Sequence, residues 1–174
     1  MSSNSTSSPA REWPAPAADD ELRLLTDFLT FLRLTAVSKV EGLSFEQASA
    51  APIPTSPVVT ALGVLRHLTA VERWWLSIES GGVELPSLWG ADADASWLLH
   101  DGDTVESVIA EYRAEWELSA KALAGLRPDD RTRGDHQDNG RTVRWVLAHL
   151  VQETGRHVGH LDLLRELADG TKGE

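Results

Sequence analysis

The chain has 174 residues, 41% of them hydrophobic, which is enough for one domain with a substantial core. Its formal net charge of -11 argues against nucleic acids and acidic membrane surfaces as partners, because binding to either needs clustered Lys and Arg. The absence of cysteine excludes disulfides, zinc–thiolate sites and a cysteine nucleophile, so any thiol used in a reaction must come from outside the chain.

The N-terminal stretch MSSNSTSSPAREWPAPAADD is rich in Ser, Pro and Ala, and we predict a flexible tail over residues 1–18. It lacks the basic start and apolar centre of a secretory signal, and no apolar run in the sequence is long enough to span a bilayer. Together with the missing cysteines, these features favour a cytoplasmic protein.

The first predicted helix covers residues 19–41, where apolar residues recur every three or four positions, and Gly42 is a plausible stop. The following stretch, LSFEQASAAPIPTSP, contains three prolines and is predicted to be a loop without regular helix. The second helix is predicted over 57–80, with Ser56 as its N-cap and Pro57 in its first turn.

Two further helices are separated by long connections. Residues 83–102 are predicted to be an irregular connection, a kind of segment that often carries function. The third helix is predicted over 104–125, with a start resembling a capping box at Asp103 and Glu106. The fourth is predicted over 142–168.

The fourth helix has Thr142 as a possible cap and Gly170 as a stop. Four long helices, each with one apolar stripe, predict an all-α fold, a four-helix bundle that covers residues 19–170. Because the connections are long, the pattern does not fix a simple hairpin topology.

A group of polar residues on the fourth helix is the strongest functional signal. At about 100° per residue, four metal-capable side chains share one stripe with leucines above and below: His149, Glu153, His157 and His160. The stripe therefore faces the interior of the bundle. A buried carboxylate is costly unless it is paired or bound to a metal. Since Glu153 and His157 lie one turn apart and can reach one ion, the pattern favours a divalent-metal site. A buried ion pair between helices is the alternative.

The third metal ligand should come from another helix. We select His67, because it lies in the middle of the second helix beside apolar residues, whereas His100 and His136 lie in polar loops. On the fourth helix, His160 is a candidate ligand or catalytic group, and His149 is expected to support the site or the structure.

The stretches VLRHLTAVERWW and RWVLAHLVQETGRHVGHLDLLREL resemble the DinB-like superfamily, and more closely its branch related to mycothiol-dependent maleylpyruvate isomerase. DTVESVIAEYR is similar to the third helix of that branch. The resemblance covers roughly residues 20–170. It implies a four-helix bundle that holds a divalent metal, commonly zinc or nickel, with His67, Glu153 and His157 as ligands. It also implies a low-molecular-weight thiol, such as mycothiol, as co-substrate.

These observations predict a metal-dependent S-transferase or isomerase, in which a thiolate attacks a small electrophilic substrate. His160 is the predicted catalytic residue, and Trp74 and Arg156 are predicted to bind the thiol or another polar group. Three more side chains are candidates for lining the pocket or binding an anion: Arg73, Trp75 and Trp89. The competing hypothesis is a non-catalytic, metal-stabilised bundle that acts as an interaction module. A homodimer is expected in either case.

Overall fold

The computed structural model describes residues 11–90, 94–135 and 140–172. Its helices are α1 (Glu21–Val40), α2 (Phe45–Ser49), α3 (Ala61–Glu72), α4 (Val105–Leu123) and α5 (Val143–Asp169). α3 continues into a π-helical segment, Arg73–Ser80, and a short 3-10 helix covers Ala95–Trp97. Within the described ranges there is no β-strand, only an isolated antiparallel bridge between Arg131 and Thr142. The predicted all-α fold is confirmed.

α1 packs along α5, and α3 packs along α4, so the long helices enclose one apolar interior. Leu62, Leu65 and Leu68 of α3 are fully buried, as are Leu147 and Leu150 of α5. Each such leucine stabilises the fold by about 2 kcal/mol relative to an exposed position. The stripe of α5 that carries Leu150 also carries His157, so the same burial that holds the helices together brings polar groups into the interior.

α3 begins later than the sequence predicted. Ser56 and Pro57 lie in the preceding turn, and Thr60 is the N-cap, its hydroxyl accepting a hydrogen bond from the Gly63 amide at 2.9 Å. The predicted cap at Ser56 is therefore wrong, because the threonine adjacent to the helix satisfies a free amide of its first turn. Gly63 is also sterically required, since an added Cβ would lie 2.6 Å from the Val58 carbonyl oxygen.

The predicted cap of α4 is displaced by one residue. Thr104, not Asp103, is the N-cap, and it forms a capping box with Ser107. The Asp103 carboxylate instead pairs with the Arg66 guanidinium of α3, with 2.5 Å between Oδ1 and Nη2. Asp103 and Thr104 are both suitable caps by residue type, so the sequence pattern could not distinguish them. The ion pair of Asp103 with Arg66, a residue distant in the sequence, engages the Asp103 carboxylate elsewhere.

The proline-rich stretch after α1 is not wholly irregular. Residues Phe45–Ser49 form α2, with a capping box between Ser44 and Gln47. All three prolines lie beyond Ser49, so they end this short helix without preventing it. The predicted stops after α1 and α5 are confirmed, since Gly42 and Gly170 have φ of 80° and 79°.

Three buried charged residues, Arg33, Glu72 and Glu115, and the partly buried Arg73 form ion pairs between the helices. The Arg33 guanidinium of α1 donates two hydrogen bonds to the Glu72 carboxylate, at 2.7 and 2.5 Å. Glu115 of α4 accepts from Arg73 at 2.9 Å and from the Ser77 hydroxyl at 3.2 Å. These pairs lie at the junction of α3 and the π-helical segment and connect three helices.

Residues 11–18 run along α1, where Trp13 stacks on Phe31 with ring centroids 4.2 Å apart. Residues 1–10, most of the predicted tail, lie outside the described part of the chain. Among the described helices, none combines the length and the hydropathy needed to cross a bilayer.

Candidate metal centre

Two elements place three potential ligands together. α3 supplies His67, and α5 supplies Glu153 and His157 one turn apart. One potential ligand atom from each residue lies within 4.8 Å of the other two. His67 and His157 are buried, with 7% and 4% of their surface exposed, and Glu153 is only partly exposed. The structure therefore brings together the three residues that the sequence selected.

The two imidazoles approach the same carboxylate oxygen. His157 Nε2 lies 3.1 Å from Glu153 Oε1, and His67 Nε2 lies 3.7 Å from that same atom. Two nitrogens and an oxygen thus converge on one small volume. Two imidazoles and a carboxylate are a donor set that zinc and related divalent cations accept in proteins.

The other nitrogen of each imidazole also has a partner. His67 Nδ1 lies 3.0 Å from the Ser96 hydroxyl, and His157 Nδ1 lies 3.2 Å from His160 Nδ1. If both Nε2 atoms bind a cation, both Nδ1 atoms must carry the proton. Ser96 Oγ and His160 Nδ1 are then acceptors that fix the orientation of the two ligands, as hydrogen-bond partners commonly do at metal sites.

Tryptophans from the connection between α3 and α4 pack on the imidazoles. Trp97 stacks on His67 with centroids 4.1 Å apart and an 11° interplanar angle, and its ring meets His157 edge-on at 5.2 Å. Trp89 meets His67 edge-on at 5.4 Å. These rings restrict both the movement of the ligands and the access of water, which strengthens electrostatic interactions in the site.

Burial sets the protonation of the three groups. Desolvation lowers the pKa of His67 to about 4 and also lowers the pKa of His157. Burial alone would raise the pKa of Glu153, but its hydrogen bond with His157 and nearby positive charges lower it overall. Neutral imidazoles and an ionised carboxylate are the forms that bind metals. The donor set, its convergence and its protonation therefore fit a divalent cation.

Arg156, Trp74 and Arg73, which were also predicted for the site, differ in their exposure and in their partners. Arg156 is exposed, and its Nη1 lies 3.4 Å from Glu153 Oε2, so it reaches the rim of the site. Trp74 is half-buried in the π-helical segment. Arg73 pairs with the buried Glu115, which makes it part of the helix-connecting network.

Trp75 and His149 form a separate cluster near the beginning of α5. The Trp75 ring lies 4.9 Å from His149 and 5.8 Å from Trp145, and the Arg141 guanidinium lies over it at 5.0 Å. The expected supporting role of His149 is consistent with this packing. His136, which was not selected as a metal ligand from the sequence, lies outside the described residues.

Ser96 and Trp97 contact the centre but were not identified from the sequence. Both lie in the short 3-10 helix within the connection of residues 83–102. The length of that connection was the only sequence signal for them, and the expectation that it is functional agrees with its contacts to His67.

Ser96→Ala is expected to weaken metal binding about tenfold, because partners of metal-bound imidazoles commonly contribute between about 10- and 100-fold to affinity. Competition with a chromogenic zinc chelator measures the change. Ser49→Ala is the matched control, since the Ser49 hydroxyl bonds only to the Phe45 carbonyl within α2 among the hydrogen bonds described. Equal affinities for the two variants would show that Ser96 does not orient His67.

Comparison with known protein families identifies a family for this chain. No curated protein matches the chain. The family model described as mycothiol-S-transferase matches residues 24–170, from early α1 to the end of α5. This range includes every helix of the bundle and all three candidate ligands. The family is DinB-like, which confirms the superfamily predicted from the sequence, and the chain belongs to the mycothiol-S-transferase family.

Proposed function

We propose that the protein is a divalent-metal-dependent enzyme that transfers a low-molecular-weight thiol, mycothiol or a close analogue, to a small electrophilic molecule. The observation that carries this proposal is the convergence of two Nε2 atoms and one carboxylate oxygen from His67, His157 and Glu153. The family match supports transfer rather than isomerisation. The absence of cysteine from the chain fits a thiol supplied as substrate.

His67, Glu153 and His157 would hold the cation, with zinc or nickel as the proposed ions. When bound, such an ion supplies the positive charge that favours the ionised form of a thiol at physiological pH. A set of three protein ligands would leave a further coordination position for another ligand, as in catalytic rather than structural centres.

His160 is proposed to move a proton through its Nε2. When the proton of His157 is on Nδ1, His157 donates it to His160 Nδ1. The single proton of a neutral His160 then lies on Nε2. That atom is not used in the contact with His157 and can donate to a leaving group. The sulfur–carbon bond forms as the bond to the leaving group breaks. The thiol proton goes to solvent, and His160 regains from solvent the proton that it gave to the leaving group.

The polar part of the thiol is proposed to lie near Arg156 and Trp74. Arg156 is exposed and lies at the rim, with its Nη1 3.4 Å from Glu153 Oε2. Its guanidinium can therefore bind hydroxyl or carboxylate groups of the thiol. Trp97 and Trp89 restrict water around the ligand imidazoles.

The proposal is tested by loading the purified chain with zinc or nickel and measuring thioether formation from mycothiol and an electrophile by mass spectrometry. Removal of the metal is expected to lower the rate at least about 100-fold, and its return to restore the rate. Glu153→Gln should behave as the metal-free protein does, whereas His149→Ala should retain most activity. A rate that does not respond to metal would contradict the proposal.

A further inference from the structure

A cavity of about 410 Å³ lies next to the candidate metal centre, at the His160 side. Its walls come from the C-terminal half of α5 and from the segment before α3. The residues that line it are Ile53, Val59, His160, Leu163, Leu164, Glu166 and Leu167. Leu163 and Leu167 are 62% and 66% exposed, so this face of α5 presents leucine to the cavity rather than to the core.

The cavity and the metal centre share one side chain. His160 lines the cavity, and its Nδ1 lies 3.2 Å from Nδ1 of the candidate ligand His157. Leu163 and Leu167 follow His157 by six and ten residues along α5, a distance of roughly 9 to 15 Å along the helix axis. This separation is within the length of an elongated small molecule.

The lining of the cavity is mainly apolar. Five of the seven lining residues are aliphatic, and none of them is Lys or Arg. The one carboxylate, Glu166, lies 3.4 Å from the Lys172 ammonium, so the two charges offset each other at the rim. A charged ligand group would lose its hydration here without gaining a partner, whereas an alkyl or aryl group would lose only unfavourable contact with water.

We propose that this cavity binds the apolar portion of the electrophilic substrate, so that the enzyme selects uncharged electrophiles with an extended alkyl or aryl group. The inference rests on the proposed thiol transfer and adds a substrate class to it. The volume lies in the range of roughly 300 to 1,000 Å³ that is common for small-molecule sites, and His160 supplies a single polar group at the end nearest the reaction centre.

A series of 1,2-epoxyalkanes, from epoxypropane to epoxyoctane, provides suitable electrophiles. The thiol sulfur bonds to the terminal carbon as that carbon's bond to the epoxide oxygen breaks. The oxygen takes up one proton, from His160 Nε2 or water, and the thiol proton returns to the protein or to solvent. The product is a hydroxy-thioether, and no oxidant or reductant is needed.

The first measurement is binding without reaction. Zinc-loaded, isotope-labelled full-length protein is titrated with 1-propanol to 1-octanol, and backbone amide shifts are followed by NMR. We expect saturable shifts at Leu163 and Leu167, with the dissociation constant falling about threefold for each added CH₂ until the cavity is filled. Shifts absent from these residues, or an affinity independent of chain length, would overturn the proposal.

The second measurement is turnover of the epoxides with mycothiol. In the wild type, kcat/KM is expected to rise with chain length by a similar factor per CH₂, and Leu163→Gln should flatten this trend. Val83→Gln is the control, because Val83 is also an exposed aliphatic residue, at 38%, and does not line this cavity. A trend that is the same in both variants would overturn the assignment of the cavity.

The two measurements separate this inference from the proposed function. Chain-length-dependent binding with no turnover of any epoxide would contradict thiol transfer but support an apolar ligand site. Turnover without dependence on chain length would support thiol transfer and contradict the cavity assignment. A third outcome is that the NMR signals of the Leu163 and Leu167 amides shift with protein concentration in the absence of alcohol, and that sedimentation shows a dimer. This face of α5 would then bind a second copy of the chain, and the proposal would be wrong.

Discussion

His157→Ala is expected to lower the affinity for zinc more than about 100-fold. The substitution removes one of the three converging donors, and it also removes the partner of His160 Nδ1. Loss of a residue that supports a metal ligand commonly lowers the affinity for the metal by between about 10- and 100-fold. Loss of a ligand itself should lower the affinity by more than that. Isothermal titration calorimetry, with chelator competition for the tight wild-type site, measures the difference.

His149→Ala is the matched control for this experiment. It removes the same side chain from the same helix, but His149 packs against Trp75 and Trp145 rather than on the converging donors. Its zinc affinity should stay within a few-fold of the wild type. Comparable retention of zinc by both variants would show that His157 is not a ligand, and the buried polar network would then be the better description of the site.

Arg33→Ala is expected to lower the free energy of unfolding by about 3 to 5 kcal/mol, because it leaves the fully buried Glu72 carboxylate without the partner that offsets its desolvation. Burial lowers the pKa of Arg33, but the attraction of Glu72 raises it overall; burial raises the pKa of Glu72, and the attraction of Arg33 opposes that rise. Since domains of this size are stable by about 5 to 15 kcal/mol, the variant should unfold at much lower urea concentration.

Two further variants make this result interpretable. Arg23→Ala removes an arginine from the same helix whose 3.6 Å pair with Asp27 is solvent-exposed, and it should change stability by less than about 0.5 kcal/mol. Glu72→Gln in the Arg33→Ala background removes the unpaired charge and should recover part of the loss. If Arg33→Ala matched Arg23→Ala, the buried pair would not be a determinant of the fold.

Local sequence patterns were sufficient for the existence of the four long helices and for two of the three candidate ligands. Glu153 and His157 share a face because a helix of 3.6 residues per turn requires it, whatever the helix packs against. The leucines on that stripe then predict its burial. Helix ends were less predictable, because Ser56 and Asp103 are good caps by residue type, and only their surroundings favour Thr60 and Thr104.

The partners of the ligands required the tertiary structure. Ser96 lies 29 residues from His67 along the chain, and no periodicity relates a position in an irregular connection to a position on α3. The π-helical segment after α3 was likewise not predicted, since Arg73–Ser80 continues the apolar pattern of an ordinary helix. The Ser80 hydroxyl there donates to the Trp75 carbonyl, five residues earlier, at 2.8 Å.

The sequence by itself determined that the chain is all-helical, that one stripe of α5 carries ligand-type side chains, and that a thiol for catalysis must be external. Each of these depends on residue type and on spacing within one helix. Only the tertiary structure decided that His67 meets Glu153, that Ser96 and Trp97 fix His67, and that an apolar cavity adjoins His160. Those relations depend on how separate segments pack, and packing is set by the whole interior rather than by any single stretch.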